Sequence, residues 1–188
     1  SVSSYTFAEF PALNSVFQSP TVGQMTDDNY DGDVDLEDTP DIAILTGDEF
    51  ADLKVSALRV VSGDGTKVHA STLWNAATNA SGTYTYAPYL FAGLAMGDTD
   101  SDGLIELVTV VQRNGTDKCY AGLYEVNQTG TDVSIDLQAV ATDQLSCESH
   151  APALADMDDN GSVEVILGAS TYNGTTLGLE TEGSSGQG

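Results

Sequence analysis

An all-β fold is predicted by three observations. Short runs rich in Val, Ile, Leu and Tyr are separated by Gly, Asn and Asp clusters such as SGDGT, RNGTD and YNGTT. No window of a dozen residues carries the i, i+3, i+4, i+7 apolar stripe of a helix. One acidic pattern recurs three times along the 188 residues, and each copy runs into an apolar, β-branched stretch.

Taken in order, the first run is SYTFAEF, residues 4–10. Tyr5, Phe7 and Glu9 alternate there with Thr6, Ala8 and Phe10, which predicts a strand with no partner of its own. The first repeat opens with MTDDNYDGDVDLEDTPDIAILTG and supplies strands at DIAILT, SALRVVS and TKVHAST. The second opens with MGDTDSDGLIELVTV and continues through CYAGLYEV and VSIDLQAV. The third, LADMDDNGSVEVILGA, leaves only about three strand runs, APALAD, VEVILGA and TTLGLET. This divides the chain into an N-terminal segment at 1–18 and repeats at 19–88, 89–149 and 150–188, the last incomplete. Four-stranded repeats of this length are the blades of propellers, so a β-propeller-like array of about three blades is predicted.

Charge excludes several functions. Twenty-nine acids face five bases, Lys54, Arg59, Lys67, Arg113 and Lys118, for a formal charge of -24. Such a surface repels nucleic acid and anionic membrane, since phosphate binding needs clustered Lys and Arg. No apolar run of membrane-spanning length is present. The opening SVSSYTF lacks the charged and apolar regions of a signal peptide, so the chain reads as a mature product or an excised piece.

The acids are bunched, and their spacing suits a cation. Calcium takes about 6 to 8 oxygen ligands, which a short loop supplies from alternate side chains, a backbone carbonyl and a later carboxylate, with Gly at the sharp turn. The second loop offers Asp98, Asp100, Asp102, the Leu104 carbonyl and Glu106. The third offers Asp156, Asp158, Asn160, the Ser162 carbonyl and Glu164. The first is longer: Asp27, Asn29, Asp31 and the Asp33 carbonyl, then Asp35, Asp38 or Asp41 as the closing acid. Asp, Asn and Gly also suit plain turns. Three loops in register, each crowding mutually repelling carboxylates, favour about three calcium sites over bare turns. Magnesium fits less well, because it demands octahedral geometry and keeps its waters.

These loops, each of the form D-x-[DN]-x-[DN]-G followed by an acid and an apolar strand, resemble the FG-GAP/VCBS repeats of integrin α-chain propellers and bacterial exported proteins. The resemblance covers about residues 19–179, and the first loop departs from it by an extension before Pro40. It implies a propeller whose calcium loops join the first two strands of each blade. It also implies an extracellular, secreted or cell-surface setting, and structural calcium.

Two cysteines, Cys119 and Cys147, form no C-x-x-C pair and lie far in sequence from His69 and His150, so zinc is not expected. In an exported protein a disulfide between them is expected, on redox compartment alone. Catalysis is not expected: the acids are committed to the loops, and no G-x-S-x-G elbow is present. Tyr84, Tyr86, Tyr89 and Phe91, with Trp74 upstream, read either as a glycan platform or as packing between blades. The sequons at Asn79, Asn114, Asn127 and Asn173 also read as ordinary turns.

The leading expectation is a non-catalytic, calcium-binding extracellular module for adhesion or self-assembly. The alternative is a carbohydrate-binding or accessory portion of a secreted polysaccharide-degrading protein. Three blades do not close a ring, so residues 4–10 are expected to complete the last blade of a neighbouring chain by strand addition, unless the chain is part of a longer propeller.

Overall fold

The computed structural model describes residues 7–48, 55–148 and 151–182. All regular structure among these residues is β, in three antiparallel sheets.

Sheet 1 holds β1 (Ser15–Val16), β2 (Thr21–Gly23), β3 (Asp41–Gly47), β4 (Ser56–Val61) and β5 (Val68–Ala70). Its order is β1-β3-β4-β5, and β2 shares the β3 edge with β1. Sheet 2 holds β6 (Asn75–Asn79), β7 (Gly82–Pro88), β8 (Ala95–Gly97), β9 (Ile105–Arg113), β10 (Cys119–Thr129) and β11 (Asp132–Val140). Its order is β11-β10-β9-β7-β6, with β8 pairing the first half of β9. β6 comes round against β11, where Asn79 Nδ2 donates to the Ala141 carbonyl at 3.0 Å, so this sheet curls nearly into a barrel. Residues 75–88 thus pair into the second sheet, although sequence alone groups them with the first repeat. Sheet 3 is β12 (Ala153–Ala155), β13 (Glu164–Leu167), β14 (Ser170–Asn173) and β15 (Leu179–Glu182) in that order.

Burial explains the sequence texture. β9 is buried at seven successive positions from Glu106 to Gln112, because both faces of this central strand are covered. β11 alternates exposed and covered residues, as an outer strand with one wet face does. At Gly122 in β10, an added Cβ would fall 2.5 Å from Val111 Cγ1, so only glycine allows the two strands to pack there. Cys119, at the start of β10, is bonded to Cys147, with Cα atoms 5.1 Å apart. Beside it, the Leu145 N–H donates to the Cys119 carbonyl at 2.8 Å. The bond therefore pins the link that leads from β11 to β12 onto sheet 2.

Two expectations are corrected. Sheet 3 has four strands, not about three. Its β14 is a short S-T-Y-N segment between Gly168, at φ 66°, and a tight turn, and its brevity hid it among turn residues. The expected strand at 4–10 falls partly outside the described residues, and residues 7–10 form bends rather than a strand. They are held by buried Arg59, whose guanidinium donates to the Glu9 carbonyl at 2.8 Å and lies 4.1 Å from the Phe7 ring centroid. A guanidinium has several donors, and the bent segment aims its carbonyls at them, which an extended strand would not.

Candidate metal centre

Each of the three loops joins the first and second strands of a four-stranded antiparallel meander: β2 to β3, β8 to β9 and β12 to β13. Strand register makes the loops equivalent. Gly23 faces Asp41, Gly97 faces Glu106 and Ala155 faces Glu164, so an acid opens the second strand at the same place each time.

The leading Asp folds each loop on itself. Asp27, Asp98 and Asp156 each use Oδ2 to accept the N–H of the glycine five residues on, at 3.0, 3.2 and 2.8 Å. Gly32, Gly103 and Gly161 have φ of 104°, 90° and 87°, a region that favours glycine. The residue two before each glycine is also left-handed: Tyr30, Ser101 and Asp159, at 60°, 65° and 58°. Sequence reading missed that feature, because three unrelated residue types occupy the position.

Two loops assemble carboxylates. Ligand oxygens of Asp98, Asp100 and Glu106 lie within 4.8 Å of one another, as do those of Asp156, Asp158 and Glu164. Asp102 stands outside its triad. Asp102 and Asn160 each use Oδ1 to accept the N–H of Leu104 or Ser162, at 2.8 and 2.7 Å, and so shape the turn. Glu106 is 2% exposed. Its Oε2 accepts the N–H and the hydroxyl of Thr99 at 2.6 and 2.9 Å, while its Oε1 is buried without a hydrogen-bond partner. Glu164 likewise accepts the Met157 N–H at 2.6 Å. Burial, with Asp100 and Asp102 nearby, pushes the Glu106 carboxyl up to about 7. The triad could hold a cation, which would ligate the bare oxygen and offset the charge of the carboxylates.

Loop 1 divides the closing role between two acids. Asp38 is buried and uses Oδ1 to accept the Asp28 N–H at 2.8 Å, the bond that Glu106 and Glu164 make in their loops. Its Oδ2 accepts the Asp35 N–H at 2.9 Å. Burial acts to raise the Asp38 carboxyl, but the N–H groups of Asp35, Asp28 and Asn29 outweigh it and hold it below the ordinary range. Asp41 is fully buried. Its Oδ2 accepts from the Met25 N–H and the Thr26 hydroxyl, and its Oδ1 has no partner. Burial raises it to about 6. Asn29, Asp31 and Asp35 accept backbone N–H groups two residues on, and Asp33 is exposed at the tip. Among the described residues, loop 1 yields no triad like the other two.

The other sequence candidates lie elsewhere. Tyr86 and Tyr89 are buried in the core, Tyr86 edge-on to Tyr120 with centroids 5.8 Å apart. Tyr84 and Phe91 are half-buried, and the Arg113 guanidinium stacks 3.7 Å from the Tyr84 centroid. This is packing between elements. His69 is half-buried on β5, and His150 lies outside the described residues.

No family model and no curated protein matches the chain. Among solved structures it is similar to the crystal structure of the V. cholerae biofilm matrix protein Bap1, at 19% identity and a TM-score of 0.46. That likeness covers 94% of this chain and 32% of the Bap1 chain, so this chain spans about a third of it.

Proposed function

We propose that this chain is a calcium-stabilised module of the FG-GAP/VCBS propeller type, extracellular and non-catalytic, used for adhesion or self-assembly. The observation that carries the reading is the repeated carboxylate triad, closed in loop 2 by a buried Glu106 with one bare oxygen. A hard cation with irregular, oxygen-only coordination answers that arrangement, and calcium meets it better than magnesium. The propeller reading is supported by three meanders that carry their loops at the same corner and by first strands that lie side by side. A disulfide and millimolar-range calcium both belong outside the cell.

Calcium here acts on structure. The clustered carboxylates serve as ligands, and a ligating carboxylate is a poor proton donor, so the chain is assigned no catalysis. The buried tyrosines lend no support to a carbohydrate-binding role.

Isothermal titration of chelator-treated protein with calcium tests the proposal. Loops 2 and 3 should bind one ion each, with magnesium a weak competitor. Absence of calcium binding at millimolar concentrations would falsify it.

A further inference from the structure

Three asparagines precede a glycine: Asn114, Asn160 and Asn173. A glycine has no Cβ to shield its own backbone nitrogen, so that nitrogen is the least hindered of any residue's. It can attack the asparagine side-chain carbonyl and close a five-membered imide when both partners are free to approach. The fold treats the three pairs differently.

Two pairs are held. In the third acidic loop, Asn160 Oδ1 accepts the Ser162 N–H at 2.7 Å, and the Gly161 N–H donates to Asp156 Oδ2 at 2.8 Å. In the turn after β14, Asn173 Oδ1 accepts the N–H of Thr175, the N–H of Thr176 and the Thr176 hydroxyl, at 3.1, 3.0 and 3.0 Å. Gly174 is buried there, with the Val163 carbonyl oxygen 2.3 Å from the point an added Cβ would occupy.

The remaining pair is free. Asn114 and Gly115 turn the chain from β9 to β10 in sheet 2, which is flanked by the other two sheets, and both residues are exposed. The base of this turn is fastened. The Asn114 N–H donates to the Thr85 carbonyl at 2.9 Å, the Thr116 N–H to the Arg113 carbonyl at 3.2 Å, and Gln112 Nε2 to the Thr116 carbonyl at 2.9 Å. Among the described residues, nothing bonds the Asn114 side chain or the Gly115 N–H. An added Cβ at Gly115 would meet nothing within 4 Å, and the pair borders an open groove with Thr83 and Thr85.

We propose that Asn114 is a site of spontaneous deamidation, selected by the fold from the three pairs. The Gly115 nitrogen loses its proton to solvent base and bonds to Asn114 Cγ. The bond from Cγ to the side-chain nitrogen breaks, and that nitrogen leaves as ammonia. Water then opens the imide at either carbonyl, giving aspartate or isoaspartate, and nothing is oxidised or reduced. The product adds one carboxylate to a chain already at -24. The isoaspartyl form also lengthens the main chain by one carbon, beside the Asn114–Thr85 bond that ties this turn to β7.

The inference is independent of the metal and of the propeller reading. The whole chain is held in mildly alkaline buffer, folded in one arm and in guanidinium in the other, until the unfolded arm has reacted at all three pairs. Peptides from each arm are then weighed. Exchange of an amide for a carboxylate shows as a mass gain, which isomerisation at Asp31–Gly32, Asp64–Gly65 or Asp102–Gly103 does not produce. Folding should slow Asn160 and Asn173 at least about tenfold more than it slows Asn114, because hydrogen bonds must open before attack at the first two. Asn114→Gln, which needs a larger ring, should abolish the gain at that position and leave the other two sites unchanged. Equal slowing at all three sites, or folded protein that gains mass first at Asn160 or Asn173, overturns the proposal.

Discussion

Glu106 holds Thr99 with one carboxylate oxygen and keeps the other bare. Its Oε2 accepts both the backbone N–H and the hydroxyl of Thr99, while Oε1 is buried without a partner. A buried polar atom left unsatisfied costs roughly 1 to 3 kcal/mol, and more when charged.

Calcium should therefore raise stability by mass action. A ligand a hundredfold above its dissociation constant contributes about 2.7 kcal/mol per site, or roughly 5 to 10 °C in melting temperature for a chain of this size. Scanning calorimetry with calcium and with excess EDTA checks this. Equal melts in the two buffers would show that the loops hold no stabilising ion.

Without metal, stability should fall as pH rises. The Glu106 carboxyl is raised from an ordinary 4.5 to about 7. The folded state therefore keeps a proton that the unfolded state has already released. The resulting loss of stability is absent below about pH 4.5, grows up to about 7 and is constant above it. Asp41 adds the same sign of effect between 3.8 and about 6. Calcium needs the ionised carboxylate, so its affinity should increase over the same range. Glu106→Gln should flatten the metal-free profile and remove one calcium. A wild-type profile in that variant would place the titration elsewhere.

Opening the Cys119–Cys147 bond should cost roughly 3 to 4 kcal/mol by chain entropy, since the two cysteines stand 28 positions apart in sequence. The loss should show as a lower urea midpoint for the Cys119→Ser, Cys147→Ser pair. Thiol labelling of denatured, unreduced protein should modify neither residue, and two labels would refute the bond.

Arg59→Leu should destabilise by about 2 to 4 kcal/mol, because it strips donors from Thr46 Oγ1, at 2.7 Å, and from the Glu9 carbonyl. Limited proteolysis should then cut first near residues 7–13. Cleavage at wild-type rates would mean that the guanidinium does not hold the segment.

Much of the molecule was legible as text, and the reason is locality. The strands at 41–47, 105–113 and 119–129 announce themselves by apolar, β-branched runs between turn residues. The acidic loops do so by short-range spacing that serves both the turn and the ligand set, so Asp98, Asp100 and Glu106 were readable as one group. Other features depend on partners distant in sequence, and only the tertiary structure decided them. Asp38 takes the loop-closing bond that Glu106 makes, while Asp41 keeps the matching strand position, because an extended loop separates two tasks one residue performs elsewhere. Gln128 reaches Asp27 across 101 residues, and Met96 finds Gly23 across a sheet boundary. Nothing in the local sequence marks either pair, since what selects them is the space left when one sheet packs on the next.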